Sequence, residues 1–260
     1  MIPAGRGRMG CALLAVSFLG GCASLPPPRE AGQPVSHETR DELVGRLQVH
    51  QEQIRSLRGI AAVEIAVSEE TRRFREALAL KSDGRFRLET LNAFGLPVLI
   101  VASDGNRVVA HGASEPVGSP DGCELLERLL GLRLSPVTLV RLHAGLPPRR
   151  VGPPVFASYL PGRRVYLLEQ EDSHWVQRLY LDLSGTLVGG EIWAGRRGLS
   201  FDFTQVRDVD GIAVPMRIAV TQARRPVRVT LTYETIDVNP ILADQFFPSP
   251  PAGPAKSGGC

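Results

Sequence analysis

The side chains that most often catalyse reactions or bind metals are scattered in this sequence. Its five histidines lie at positions 37, 50, 111, 143 and 174. Asp172, Ser173 and His174 are adjacent, whereas a catalytic triad is assembled in space from separate segments. The chain has no HExxH, GxSxG or CxxC motif, and the pair Gly189-Gly190 lacks the lysine and hydroxyl residue of a phosphate loop. We therefore expect no catalytic residue, no metal and no cofactor.

The first residues of the chain have the order of an export signal. Arg6 and Arg8 give a positive start, and an apolar run follows over residues 11–19. This run of about nine residues is much shorter than the roughly twenty that a transmembrane helix needs. We expect residues 1–21 to be a signal peptide that is removed.

Cys22 stands in a pattern that is typical of chemical modification. The residues Leu19-Gly20-Gly21-Cys22 resemble the lipobox of bacterial lipoproteins, in which the cysteine sulfur receives a diacylglycerol before the chain is cut. Small residues let the backbone approach a peptidase closely, and the thiol is the nucleophile at this site. The alternative is a chance cysteine in an ordinary secretory signal. We predict lipidation at Cys22, which would anchor the chain stably because two or more acyl chains are buried in the bilayer.

The two ends of the mature chain are rich in proline, glycine and small polar residues, which cannot bury a core. We expect residues 22–36 to be a flexible tether, 37–247 the folded domain, and 248–260 a disordered tail. Ala23 follows the lipidated cysteine. In enterobacterial lipoproteins an aspartate at that position favours the inner membrane, so the resemblance implies a lipid-anchored protein of the outer membrane that faces the periplasm.

The composition limits the classes of partner. The chain is 43% hydrophobic, and its 30 basic residues nearly balance its 27 acidic residues. A net charge of +3 is too small to indicate nucleic acid binding, and the arginines are scattered along the predicted strands. Of the four cysteines, only Cys123 and Cys260 remain after processing and lipidation, and the spacing leaves open whether they pair.

Helical periodicity appears first near the start of the folded domain. Thr39 and Glu42 have the spacing of a capping box. Apolar residues then recur at helical spacing up to Leu57, and Gly59 follows. The pattern predicts an amphipathic helix over about residues 40–57.

Helical periodicity returns in the middle of the chain, between about residues 121 and 145. Leucines there predict a helix that is stopped by Gly131. Ser135 followed by Pro136 is a good start signal for another helix, which we expect to end at Gly145.

The rest of the domain alternates with a period of two, as strands do. On one predicted strand, for example, Phe74, Glu76, Leu78 and Leu80 share a face. The predicted strands lie near residues 63–67, 74–80, 85–91, 98–102, 107–111, 164–169, 175–183, 187–193, 199–206, 212–221 and 227–236. About eleven antiparallel strands indicate a mainly β protein, a closed or half-open barrel. The apolar faces of the helices would be buried at its mouth.

Several segments between residues 57 and 148 match a known family in order and spacing. They are Leu57-Arg58-Gly59, Gly84-Arg85-Phe86-Arg87-Leu88, Asn92-Ala93-Phe94-Gly95, Leu125 to Leu130 with Gly131, and Leu139 to Pro147. In these segments the chain resembles the LolA/LolB superfamily of bacterial lipoproteins, and the outer-membrane lipoprotein receptor LolB in particular. The second half resembles the family only as strands and turns.

The resemblance implies an unclosed antiparallel barrel whose helices cover its mouth, and an apolar cavity that holds acyl chains. The implied function is to receive lipoproteins from a periplasmic LolA-like carrier and insert them into the outer membrane. Partners would be that carrier, client lipoproteins and membrane lipid, and we expect a monomer. In the family a protruding apolar residue assists insertion, and Phe94, followed by Gly95, stands in that turn. The alternative is that Phe94 folds back onto its hairpin.

The inward members of the predicted strands and helices are the candidates for the cavity wall. They are Val63, Ile65, Leu78, Leu80, Phe86, Leu88, Leu99, Val101, Leu126 and Leu130. Periodicity cannot separate a cavity wall from an ordinary filled core, so both interpretations stay open for each residue. Three functions therefore compete: a lipoprotein-transfer receptor, a lipoprotein that binds another lipid or hydrophobic ligand, and a non-catalytic structural or assembly factor of the envelope with a filled barrel.

Overall fold

The computed structural model describes residues 28–112, 117–119, 122–149, 152–153, 156–195, 197–223 and 227–247. The predicted signal peptide, Cys22, the predicted C-terminal tail and Cys260 lie outside the described residues. Cys123, in the first turn of a helix, is buried and disulfide-bonded, and the other three cysteines of the chain lie in undescribed segments.

The described residues form three α-helices, fourteen strands and a short 3₁₀ helix at Asp244–Phe246. The helices are α1 (His37–Gln53), α2 (Gly122–Leu130) and α3 (Pro136–His143). The strands of the first half are β1 (Gln33–Pro34), β2 (Ser56–Val67), β3 (Glu70–Lys81), β4 (Arg85–Leu91), β5 (Pro97–Asp104), β6 (Val108–His111) and β7 (Val117–Ser119). Those of the second half are β8 (Phe156–Leu160), β9 (Val165–Glu171), β10 (Val176–Leu181), β11 (Leu187–Ala194), β12 (Arg197–Val209), β13 (Ile212–Gln222) and β14 (Val227–Val238).

All fourteen strands belong to one antiparallel sheet. Its order is β1-β8-β9-β10-β11-β12-β13-β14-β2-β3-β4-β5-β6-β7, so each half is a meander and the two halves meet where β14 pairs with β2. β1 and β7 occupy the two ends, and no pairing joins them within the described part of the chain. The sheet is therefore an unclosed antiparallel barrel with three helices, which confirms the predicted fold class.

One face of the sheet carries the main core. Alternate residues of the strands point to this inner face, as in the pairs Leu57 with Leu80 and Val63 with Phe74 across β2 and β3. The buried leucines of all three helices, such as Leu43, belong to the same cluster of apolar side chains. The helices thus pack on the inner face, where the mouth of the barrel was predicted.

The N-terminal helix begins earlier and ends earlier than predicted. Ser36 is the N-cap, because its Oγ accepts a hydrogen bond of 3.1 Å from the backbone N–H of Thr39. The predicted capping box that starts at Thr39 is therefore wrong. The chain leaves the helix at Ile54, and Leu57, which continued the helical spacing, belongs to β2.

The sheet has three strands more than the eleven predicted. β8 lies between the predicted helix that ends at Gly145 and the predicted strand near residue 164, where no strand was predicted, and β1 and β7 are only two and three residues long. β1 also changes the predicted tether, since Gln33 and Pro34 pair with β8 and Arg29 forms an ion pair with the buried carboxylate of Glu169. The described part of the predicted tether is therefore docked on the sheet.

Candidate functional site

Helix α3 is fixed at both ends by local chemistry. Ser135 caps its start by accepting a 3.1 Å hydrogen bond from the backbone N–H of Thr138, and Pro136 occupies the first turn, as predicted. Beyond its end, Gly145 has a φ of +69°, and a Cβ there would lie 2.4 Å from Cδ of Pro215. Only glycine fits this position, so the chain leaves α3 directly against the start of β13.

An enclosed apolar cavity lies between the inner face of the sheet and the segment that runs from α2 to α3. Its wall is formed by Val63, Glu76, Leu88, Leu130, Leu132, Leu134, Leu139, Leu142, His143, Ile218, Val220, Val229 and Leu231. The cavity volume is about 40 Å³. That is enough for water, whereas pockets for small molecules usually measure about 300–1,000 Å³. An acyl chain can therefore enter only if the α2–α3 segment moves.

Leu134 separates this cavity from an open groove. The groove has a volume of about 540 Å³ and runs between the start of α3 and residues of β11, β12 and the end of β13, past Trp175, Ile192 and Leu199. Leu134 is buried and lines both spaces. A displacement of this one side chain, together with the α2–α3 segment, would join them into a space of ligand size.

Glu76 is the one acidic side chain in the cavity wall among the residues described. It lies on the inner face of β3 between Phe74 and Leu78, and only 6% of it is exposed. Its carboxyl group makes no hydrogen bond to any described residue, whereas buried polar groups normally have a partner. Burial raises the pKa of Glu76 to about 8, so the carboxyl is protonated at neutral pH.

Two other titratable groups border the same region. Tyr233 on β14 pairs with Ala61 on β2, which in turn pairs with Glu76. The Tyr233 hydroxyl donates a 2.8 Å hydrogen bond to the backbone carbonyl of His143, and burial, together with Glu76, raises the pKa of the phenol. His143 Nδ1 donates to the carbonyl of Leu139, and burial lowers the pKa of the imidazole. All three groups are therefore neutral near pH 7, and the cavity has an uncharged wall.

A buried arginine connects α3 to α1. The Arg141 guanidinium donates hydrogen bonds of 2.6 Å to the side-chain oxygen of Gln51 and of 2.6 Å to the carbonyl of Pro147. Both Arg141 and Gln51 are buried. Motion of α3 away from the sheet must therefore carry α1 along or break these bonds.

The turn between β4 and β5 exposes apolar side chains. Phe94 is 88% exposed and Leu96 is 61% exposed. The Asn92 side-chain oxygen accepts hydrogen bonds from the backbone N–H groups of Phe94 (2.9 Å) and Leu96 (3.0 Å), and Gly95 has a φ of +78°. The turn is thus held by Asn92 in a shape that points Phe94 away from the hairpin.

Three of the ten residues predicted for the cavity wall line the cavity: Val63, Leu88 and Leu130. The other seven are absent from the described lining and pack in the core around it. They are Ile65, Leu78, Leu80, Phe86, Leu99, Val101 and Leu126.

Several residues of this region were not predicted from the sequence. Leu132 and Leu134 follow the predicted stop at Gly131 and lack any periodic signal. Glu76, by contrast, was recognised on the inward face with Phe74, Leu78 and Leu80, and an acidic residue in such a set was the available signal. Leu96 escaped notice because its exposure depends on the shape of the turn.

The described residues contain no group of three or more histidine, cysteine or acidic side chains placed to hold a metal ion. Nor does any described helix combine the length and the hydrophobicity needed to cross a membrane.

The fold and the cavity together define a class: an unclosed antiparallel barrel that buries an apolar, uncharged cavity beneath helices. Solved structures with this fold include proteins of the LolA superfamily. Neither the protein-family models nor the curated protein sequences give a match to this chain.

Three solved structures illustrate the similarity. A LolA superfamily protein from Nitrosomonas europaea has a TM-score of 0.51 at 14% identity, over 83% of this chain and 98% of its own. A domain assigned to outer-membrane lipoprotein sorting in Vibrio parahaemolyticus has a TM-score of 0.52 at 13% identity, over 81% and 96%. A DUF1329 family protein from Desulfovibrio piger has a TM-score of 0.56 at 13% identity, over 83% and 98%. At these identities the comparison shows the fold, which is LolA-like.

Proposed function

We propose that this protein is a lipid-anchored lipoprotein of the LolA/LolB superfamily that binds acyl chains beneath the α2–α3 segment. It would receive lipoproteins from a periplasmic LolA-like carrier and insert them into the outer membrane. The observation that carries the proposal is the apolar cavity enclosed between the sheet and the α2–α3 segment, on a LolA-like fold. A site of this kind needs an apolar concave surface and a movable cover, and no catalytic group.

The exposed turn supports the delivery step. Phe94 and Leu96 project from a turn that Asn92 holds in place. Burying an aromatic side chain of this size in lipid is favourable by roughly 1.5–3 kcal/mol. On a chain that is already tethered to a membrane through Cys22, the turn would enter the bilayer and place the mouth of the cavity beside it.

The volume of the cavity favours one alternative. At about 40 Å³ this cavity is almost filled, as expected for a structural or assembly factor whose barrel binds nothing. The two functions differ in whether the α2–α3 segment opens.

The deciding experiment is transfer of a labelled lipoprotein from its periplasmic carrier to the full chain, compared with uptake of free phospholipid and fatty acid. Lipoprotein uptake is the expected result. Uptake of free lipid alone would indicate a lipoprotein that binds another hydrophobic ligand, and no uptake would favour the filled barrel.

Two variants test whether the cavity itself is the site. Val63→Phe places a larger side chain in the cavity wall and should abolish uptake at a stability cost of about 1–3 kcal/mol. Val67→Phe is the matched control, because Val67 lies on the same strand and is 41% exposed. Equal uptake by the two variants would place the ligand elsewhere.

A further inference from the structure

We propose that Glu76 is a specificity-determining residue of the acyl-chain site: its carboxyl group donates a hydrogen bond to the carbonyl oxygen of an ester- or amide-linked acyl chain and favours such chains over hydrocarbon chains without a carbonyl group. This inference rests on the proposed function and names the chemical class of its ligand.

Glu76 is the polar exception in an otherwise apolar part of the cavity wall. Every other residue of that wall is apolar except His143, whose ring nitrogen is already bonded to the carbonyl of Leu139. The neighbours of Glu76 across the sheet are Ala61 on β2 and Thr90 on β4. The small side chain of Ala61 leaves the carboxyl facing the cavity.

The Glu76 carboxyl lacks a hydrogen-bond partner among the described residues. Glu76 makes no hydrogen bond to any residue in the described part of the chain, although only 6% of it is exposed. The nearest hydroxyl across Ala61 belongs to Tyr233, and its proton is donated to the carbonyl of His143 at 2.8 Å. The carboxyl oxygens are not among the fully buried side-chain atoms without a partner, so they keep surface that is open to the cavity. A ligand carbonyl in the cavity could therefore accept the carboxyl proton.

The cavity wall around Glu76 is uncharged near pH 7. The titratable groups that face this region are Tyr233 from β14 and His143 from α3, and both are neutral near pH 7. No lysine or arginine lines the described cavity. The protonated carboxyl offers one O–H donor, which suits the carbonyl of an ester or amide. A fatty acid carboxylate would enter an apolar space without a cation, which disfavours its charged form.

The position of Glu76 along β3 fits the direction from which an acyl chain would arrive. Glu76 pairs with Thr90, and two residues beyond Thr90 the chain enters the turn that carries Phe94. Outward from Glu76 along β3, Phe74 is half-buried and Arg72 is exposed, so the wall ends there. The carboxyl thus lies at the end of the cavity closest to the exposed turn, where the linkage of an incoming acyl chain would rest while its tail extends towards Leu134.

The test uses two fluorescent probes that share one hydrocarbon chain, cis-parinaric acid and its methyl ester. Each is titrated at pH 7 into the full chain carrying Cys22→Ser, which removes the predicted lipid. The ester should bind more tightly than the acid, because the acid brings a charge into an apolar cavity without a cation. Glu76→Leu removes the donor, so ester affinity should fall about fivefold, the contribution of roughly one hydrogen bond, whereas Glu76→Gln keeps a donor and should retain the parent affinity. Ester affinity should also decline above about pH 8 in the parent chain only.

Glu70→Gln is the matched control, since it removes an exposed carboxylate from the same strand. Far-UV circular dichroism checks that each variant is folded. An unchanged ester affinity in Glu76→Leu, or the same loss in Glu70→Gln, would overturn the role of Glu76 while leaving the acyl site intact. If neither probe binds the parent chain, the proposed acyl site fails and the role of Glu76 fails with it.

Discussion

Replacing Glu76 with glutamine should stabilise the fold by an amount that increases with pH. Burial raises the pKa of Glu76 to about 8, whereas an ordinary glutamate has a pKa of about 4.5. Because the folded value is the higher one, the contribution of this carboxyl to stability is fully present below about pH 4.5 and is lost as the pH rises through about 8. Glutamine has no proton to lose, so the variant escapes this loss.

The magnitude follows from the shift in pKa. Each unit corresponds to about 1.4 kcal/mol, so the loss in the parent chain is about 1 kcal/mol at pH 5, about 3 kcal/mol at pH 7 and about 5 kcal/mol at pH 9. The difference in unfolding free energy between Glu76→Gln and the parent should therefore grow by about 4 kcal/mol from pH 5 to pH 9. Other titrating groups are common to both chains and cancel in this difference.

Urea unfolding of both proteins at pH 5, 7 and 9, followed by circular dichroism, measures this difference. Glu70→Gln serves as the control and should differ from the parent by less than about 0.5 kcal/mol at each pH, since Glu70 is exposed. A difference for Glu76→Gln that stays constant from pH 5 to pH 9 would refute the reasoning, because the carboxyl would then be ionised and stabilised in the folded state.

Three other substitutions test the remaining features. Phe94→Glu should leave the unfolding free energy unchanged within about 0.5 kcal/mol and reduce insertion of the turn into vesicles by the lipidated protein. Insertion is measured by the quenching of a dye attached to the turn by quencher-labelled lipids, and Val49→Glu, at another exposed apolar position, is the control. Unfolding of Phe94→Glu would instead place Phe94 in the core. Leu142→Ala should cost about 2–5 kcal/mol in urea unfolding because it enlarges the cavity beneath α3, and a cost below about 1 kcal/mol would contradict close packing there. Tyr233→Phe should cost about 1 kcal/mol by removing the hydrogen bond to His143, and a thermal unfolding midpoint equal to that of the parent would show that this bond contributes nothing.

Alternation of apolar and polar residues predicted most of the sheet, because each long strand has one face in the core. Alternation did not predict the short strands that do not have one long face in the core. β1 is two residues long and contains Pro34, and β8 lies in a stretch rich in proline and glycine. β1 depends on pairing with β8, which is distant in sequence, and β8 is a short strand that forms a hairpin with β9, so local periodicity contains little information about them.

The limits of α1 show a conflict between local signals. Ser36 and Thr39 are both good N-caps, and the structure uses Ser36 because its Oγ accepts from the amide of Thr39. At the other end, Ile54 and Leu57 continue the helical spacing although the chain has already turned towards the sheet. Both residues are buried, so the pattern recorded burial correctly and assigned it to the wrong element.

The site was less accessible to sequence reasoning than the fold. An apolar inward residue has the same sequence signal in a filled core as in a cavity wall, which is why Val63 and Leu78 could not be told apart. The turn at Phe94 was identified through the resemblance to the LolA/LolB superfamily, and the structure shows that Asn92 and Gly95 hold its backbone shape.

The pairing of β14 with β2 has a consequence for how the chain is made. These two neighbouring strands lie near the centre of the sheet, although β2 is the first long strand of the sequence and β14 is the last. Val63 of β2 pairs with Leu231 of β14. A chain that is synthesised and exported from its N-terminus cannot complete the sheet until residues 227–238 are available. Until then β2 and β13 each present an unpaired edge, the kind of surface that aggregates. Loss of the last long strand should therefore affect the yield of folded protein far more than the number of missing residues suggests.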